Sequence, residues 1–196
     1  MKTTLNHKLT YAAAAALALS GALASAGAFA QSFELTSPDV SAAAPIAMKH
    51  VFNGFGCTGG NVSPALNWKN APAGTKSFAV MVHDQDAPTG GAGFWHWVVV
   101  NLPASATGLP AGVGDGKNGT IALPAGALQI NTDFGQPGWG GPCPPQGRAP
   151  HRYTFTVYAL KVDKLELPAN ATASLTGFMV GGNALAKASI EAKFGR

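Results

Sequence analysis

Ser77-Phe78-Ala79-Val80-Met81-Val82-His83 and Phe94-Trp95-His96-Trp97-Val98-Val99-Val100-Asn101-Leu102 decide the fold of this chain. Both runs are short, aromatic and β-branched, which is the chemistry of strands rather than helices. Both are almost continuously apolar, so they are predicted as central strands buried on both faces. A third run, Tyr153 to Val162, begins instead with alternation, placing Thr154 and Thr156 on one side. Weaker strand candidates are Phe33 to Thr36, Ala65 to Trp68 and Ala127 to Ile130. Gly and Pro break the chain between these runs, and the span from Gly108 to Gly126 reads as a long irregular loop. Helical spacing recurs only near the end. Leu175, Phe178, Met179, Leu185, Ala186, Ile190 and Phe194 fit it, and Gly177, Gly181 and Gly182 weaken its first half. The regular part of a C-terminal helix is predicted between about Gly182 and Lys193. The fold class that follows is mostly β, a sandwich-like body with one terminal helix.

Residues 1–30 stand apart from that body. Lys2 and Lys8 make a basic start, Tyr11 to Ala24 is nearly all Ala and Leu, and Ala28-Phe29-Ala30 is a small-x-small cleavage site. This pattern is a secretory signal peptide, with the mature domain predicted over 31–196 in the periplasm or outside the cell. Ser20 and Gly21 interrupt the apolar stretch and leave it short of a spanning helix, so no stable membrane insertion is expected once the signal is removed. The formal net charge of +4 includes Lys2 and Lys8, and the remaining charges are sparse and scattered. Without a basic run to grip phosphate backbones, nucleic acid is excluded as a partner. The chain has 2 cysteines, Cys57 and Cys143, on a route to an oxidising compartment. They are read as a disulfide, with free thiols or a metal pair as the alternatives.

Chemistry-bearing residues sit where rigid turns meet the apolar strands. Asp84-Gln85-Asp86-Ala87-Pro88 ends the first run, with Asp84 the candidate for a pocket and Asp86 the candidate for capping its turn. His96 lies between Trp95 and Trp97 on a face assigned to Phe94 and Val98. His151 follows Gly141-Pro142-Cys143-Pro144-Pro145-Gln146-Gly147 and shares a face with Tyr153, with Arg152 pointing the other way. Each taken singly also fits a structural role, as a capped turn or a core histidine. Converging, these donors would hold a small anion, with prolines as walls, since proline has no N–H to offer. Asp84 would then orient a histidine, or meet an ammonium on a zwitterionic, phosphoethanolamine-like ligand.

Several motifs are set aside. Gly114-Asp115-Gly116-Lys117-Asn118-Gly119 spells G-x-G-x-x-G, but it neither follows a strand nor opens a helix. No G-x-S-x-G elbow and no H-E-x-x-H occurs. A metal on Asp84, His96 and His151 lacks a close-spaced ligand pair, so neither metal nor cofactor is predicted. Asn118 and Asn170 head glycosylation patterns that matter only in a eukaryotic secretory route.

Taken together, the D-x-D-A-P turn (84–88), the strand Trp95-His96-Trp97-Val98-Val99-Val100-Asn101-Leu102-Pro103, and the G-P-C-P-P-x-G segment leading to His151-Arg152-Tyr153-Thr154-Phe155 resemble the phosphatidylethanolamine-binding protein family. They are closest to its bacterial Raf-kinase-inhibitor-like branch. Gly60 to Trp68 and Asn131 to Gly135 add to the resemblance, which covers essentially all of 31–196 in order. It implies a β-sandwich with a large antiparallel sheet and a C-terminal helix beside the pocket. It also implies a pocket built from Asp84, Pro88, His96, His151 and Tyr153 that accepts phosphate and phosphoethanolamine-like groups. The family often ends in Gly-x-Tyr-x-Arg, whose Tyr can lean over the pocket. Here Ala192-Lys193-Phe194-Gly195-Arg196 offers a Phe194 lid that cannot donate a hydrogen bond. Kinase control, implied by the branch's label, does not suit an exported chain.

The reading favoured is an exported binding or modulator protein for a small anionic or zwitterionic ligand. One alternative is a hydrolase of small phosphorylated or ester substrates, with His96 or His151 as general base oriented by Asp84. The missing nucleophile or metal set weighs against it. The other is a protein that acts on a protein partner, with the pocket incidental.

Overall fold

The valine-rich runs pair where their burial demands. The computed structural model describes Met1 and residues 31–115 and 121–196, so the signal-peptide reading and the Asn118 pattern lie outside the described residues. Among the described residues are β1 (Glu34–Thr36), β2 (Asn53–Gly54), β3 (Cys57–Thr58), β4 (Leu66–Lys69), β5 (Ser77–Asp84) and β6 (Phe94–Pro103). They are followed by β7 (Gly108–Leu109), β8 (Leu128–Gln129), β9 (His151–Leu160), the helix α1 (Ala173–Asn183) and β10 (Ala184–Phe194). The large sheet has 5 strands in the order β10-β9-β5-β6-β8, and its recorded pairings are antiparallel. The continuously apolar β5 lies at its centre, as its composition requires. A smaller sheet, β1-β4-β7, completes the sandwich.

Two clusters cover the two faces of the large sheet. Phe78, Val80, Val82, Trp97, Val99, Phe155 and Val157 meet Leu35, Leu66, Trp68 and Leu109 of the small sheet. Ala79, Met81, Val98, Val100 and Leu160 pack on the opposite face with Ala173 and Val180 of α1. Gln31–Arg196 thus forms one unit.

The C-terminal prediction is corrected here. The helix occupies Ala173–Asn183, the half that three glycines had discounted, and Ala184–Phe194 is a strand. Thr172 starts α1 by accepting a hydrogen bond from the Leu175 N–H on its side chain. The strand wins because β10 pairs with β9 from Ala184↔Leu160 to Phe194↔His151, covering what would be an open edge. The sequence also carries the matching alternation: Ala188, Ile190, Ala192 and Phe194 turn inward, while Lys187, Ser189, Glu191 and Lys193 turn outward. The helix therefore does not end the chain, and none of its residues lines the cavity described below.

Candidate ligand pocket

The site begins with three strand ends. Asp84 closes β5, Phe94 opens β6 and His151 opens β9, and register places Asp84 opposite both Phe94 and Tyr153. His96 reaches the same place through an irregularity. Pairing shifts from Val82↔Trp97 to His83↔Trp95, so His96 is the extra residue of a bulge. Strict alternation would have grouped it with Val98, which packs toward α1. The bulge instead turns His96 to the sandwich interior, with ring centroids 5.1 Å from Tyr153 and 5.3 Å from Phe94. The face predicted from sequence is corrected to that extent.

The loop of residues 138–147 forms the opposite wall. His96 Nδ1–H donates to the Gly140 carbonyl at 2.6 Å, and the Gly140 N–H donates back to the His96 carbonyl at 2.9 Å. The side chain of Asn61 anchors this loop, accepting from Gly141 N–H at 2.8 Å and donating to the Trp139 carbonyl at 3.2 Å. Gly141 passes so close to the β2 approach that a Cβ would meet the His50 carbonyl oxygen at 2.1 Å. Cys143 is bonded to Cys57 (S–S 2.13 Å), tying the loop to β3. Arg196 reinforces that seam, its guanidinium donating to the carbonyls of Pro144, Gly56 and Phe55 at 2.7, 2.9 and 3.3 Å.

These elements enclose a cavity of about 280 Å3 lined by Asp84, Pro88, Phe94, His96, Phe134, Pro144, Pro145 and His151, with Phe55 at its edge. Four of the predicted site residues, Asp84, Pro88, His96 and His151, are therefore brought together. Tyr153 is not among the lining residues. It lies fully buried behind His96, and its hydroxyl has no hydrogen-bond partner. Phe194 is also displaced from its predicted place. It is buried opposite His151 on β10 and faces a neighbouring cavity, so it is no lid.

Asp84 and His151 form the polar core. Asp84 Oδ2 accepts from His151 Nδ1–H at 2.8 Å, and its other oxygen accepts the Asp86 N–H at 2.9 Å. The side chains are only 5% and 7% exposed. The contact fixes the tautomer of His151 and leaves its Nε2 available to a ligand. Burial pushes the His96 imidazole down to about 4, against the opposing pull of the Gly140 carbonyl and the Asp84 charge. At neutral pH His96 is therefore uncharged, and with Nδ1–H committed to Gly140, its Nε2 is a lone-pair acceptor. Burial raises the Tyr153 phenol far above its ordinary value, and the neighbouring Asp84 carboxylate adds to the shift. The phenol stays protonated.

Sequence reasoning missed the aromatic walls. Phe134 packs edge-on to Phe94 and His96 at 5.0 and 5.3 Å and lies parallel to Phe55 at 5.9 Å. Phe55 is 71% exposed and sits at φ 51°, in the left-handed region. That conformation costs a bulky residue roughly 1–2 kcal/mol. The Gly54-Phe55-Gly56 setting was the signal that could have found it. The pocket combines one buried carboxylate–imidazole pair, one neutral imidazole and apolar walls, a chemistry suited to holding a small polar group. No His, Cys, Asp and Glu cluster fit for a metal occurs among the described residues.

Comparison with known proteins follows the same lines. A model of the phosphatidylethanolamine-binding protein family matches residues 36–195. YbcL of Escherichia coli is 50% identical over 161 residues, covering 82% of this chain and 86% of YbcL. YbhB of the same organism is 48% identical, covering 82% of this chain and 99% of YbhB. The crystal structure of YbcL, titled as a new member of the mammalian PEBP family, superposes with a TM-score of 0.78 at 48% identity, over 84% of this chain and 98% of that one. LppC of Mycobacterium tuberculosis, whose name marks it as a lipoprotein, is 38% identical over 73% of this chain and 62% of its own length.

Proposed function

We propose a function from one premise: this chain belongs to the phosphatidylethanolamine-binding protein family. It is an exported binding or modulator protein whose pocket takes a phosphate or a phosphoethanolamine-like group. The observation that carries this reading is the buried Asp84–His151 pair at 2.8 Å beside His96 in a cavity of about 280 Å3. His151 and His96 make their recorded hydrogen bonds through Nδ1, which leaves their Nε2 atoms for a ligand in the cavity. A phosphate oxygen can accept from Nε2–H of His151 in its imidazolium form, and a phosphate O–H can donate to the neutral His96. Export is supported by the signal-like residues 1–30, the Cys57–Cys143 bond and the lipoprotein relative.

Calorimetric titration with inorganic phosphate and with O-phosphorylethanolamine tests the pocket. A Kd of roughly 1 mM or tighter is expected, with a loss of at least about tenfold in His151→Ala. No heat from either ligand, or equal affinity in the variant, would overturn the reading. Fractionation of the expressed full-length chain tests export: a periplasmic product beginning at Gln31 is expected, and retention of residues 1–30 in the cytosol would sink it.

A further inference from the structure

We infer that the ligand carries a second anionic group, held outside the pocket by Arg148 and Lys193; this rests on the phosphate-pocket reading above. The pocket does not end at His151. His151, Pro88 and Pro145 also line a neighbouring cavity of about 560 Å3, which Arg148, Arg152 and Lys193 line as well. Beyond it, Arg148 and Lys193 face a third hollow of about 380 Å3 together with Arg196. The three hollows form a trough running outward from the inner site.

The charge in that trough is unbalanced. In the hollow next to the inner pocket the one side-chain carboxylate, Asp86, is taken by Arg152 through Nε at 2.9 Å, Nη2 at 2.7 Å and the backbone N–H at 2.8 Å. Glu191, two residues along β10, lies near Arg152 but lines neither hollow. The molecule's other lysine–carboxylate pairs lie elsewhere, at Lys49–Asp39, Lys69–Glu34, Lys76–Asp163 and Lys164–Glu166. Arg148 and Lys193 have no ion-pair partner among the described residues. Register also sets Lys193 directly opposite Arg152 on β9. Like charges facing each other across two strands are unfavourable, and a bound anion relieves them. Arg196 does not compete for the ligand, since its guanidinium is spent on loop carbonyls.

The inner pocket and the outer cations together select a phosphate ester with a carboxylate or second phosphate a few bonds away. The matched probes are O-phosphorylethanolamine and O-phospho-L-serine, which differ by one carboxylate. O-phospho-L-serine is expected to bind roughly fivefold tighter, about 1 kcal/mol, as one partly exposed ion pair provides. Arg148→Gln/Lys193→Gln should remove that advantage and leave O-phosphorylethanolamine affinity unchanged; both side chains are exposed and unbonded, so folding is not at stake. Equal affinity for the two probes, or an advantage that survives the double substitution, overturns the inference and leaves the phosphate pocket standing. Absence of binding by both probes and by inorganic phosphate removes the pocket reading and this inference with it. Co-sedimentation with phosphatidylserine vesicles that the double substitution abolishes would place the source in a lipid headgroup. Binding of the free probe without vesicle binding would place it in a soluble phosphomonoester, and either result supports the second anion site.

Discussion

Two carboxylate pairs join the same turn to the start of β9, and they differ in almost everything but sequence. Asp84–His151 points into the sandwich, with side chains 5% and 7% exposed. Asp86–Arg152 points outward, with side chains 31% and 45% exposed and a bidentate geometry. Judged by hydrogen bonds alone, the outer pair looks stronger. Judged by environment, the inner pair matters more, because neither partner can turn to water if the other is lost. The outer pair is screened and replaceable. The inner pair forms the polar part of the cavity wall, and the outer pair lines the neighbouring hollow.

The sharpest way to break this contrast is Asp84→Ala, which leaves His151 buried without its acceptor. A loss of about 3–5 kcal/mol is expected in urea unfolding; a loss no larger than that of the outer pair would erase the distinction. Next comes acid. His96 has its folded value depressed from 6.5 to about 4, so between those pH values the unfolded chain holds a proton that the native one refuses. Stability is full above about pH 6.5 and falls as pH drops toward 4, by up to roughly 3 kcal/mol. His96→Asn should flatten that limb of a pH-dependent unfolding series, and an unchanged limb would exclude His96 as its source.

The outer pair should answer far more weakly. The Arg152 guanidinium holds the Asp86 carboxyl down at about 2, so whatever the pair contributes is present above about pH 4 and is lost as pH falls through about 2. Asp86→Asn should cost no more than about 1 kcal/mol, and less in high salt. The smallest effect is expected from Tyr153→Phe. Its hydroxyl is buried without a partner, so removing it should shift stability by less than about 0.5 kcal/mol, or in the stabilising direction. A loss above about 1 kcal/mol would reveal a hydrogen bond to Asp84 in solution.

Much of this arrangement was legible in the residues. Continuous apolar character put β5 and β6 in the middle of the sheet, and the turn chemistry of 84–88 and 141–147 located Asp84 and His151 at strand ends. What failed was decided by distant partners. Ala184–Phe194 carries both a helical and an alternating pattern, and only the open edge of β9 selects the strand. His96 was found, but its direction depends on a bulge that no residue type announces. Phe134 comes from a loop without periodicity, so nothing local marks it as a wall, and Phe55 was signalled only by its flanking glycines. Arg196 shows as a single basic residue at the end of the sequence, while its role is written in three carbonyls far away along the chain.

The seam made by the Cys57–Cys143 bond has a consequence for when the pocket becomes competent. It joins segments 86 residues apart along the mouth of the cavity, and in the chain-entropy model such a link is worth roughly 4–5 kcal/mol. A newly made chain in a reducing cytosol can pair its strands but lacks that stitch. For a protein exported as proposed, that link forms only after passage outside, so the tie between β3 and the loop of residues 138–147 is completed there.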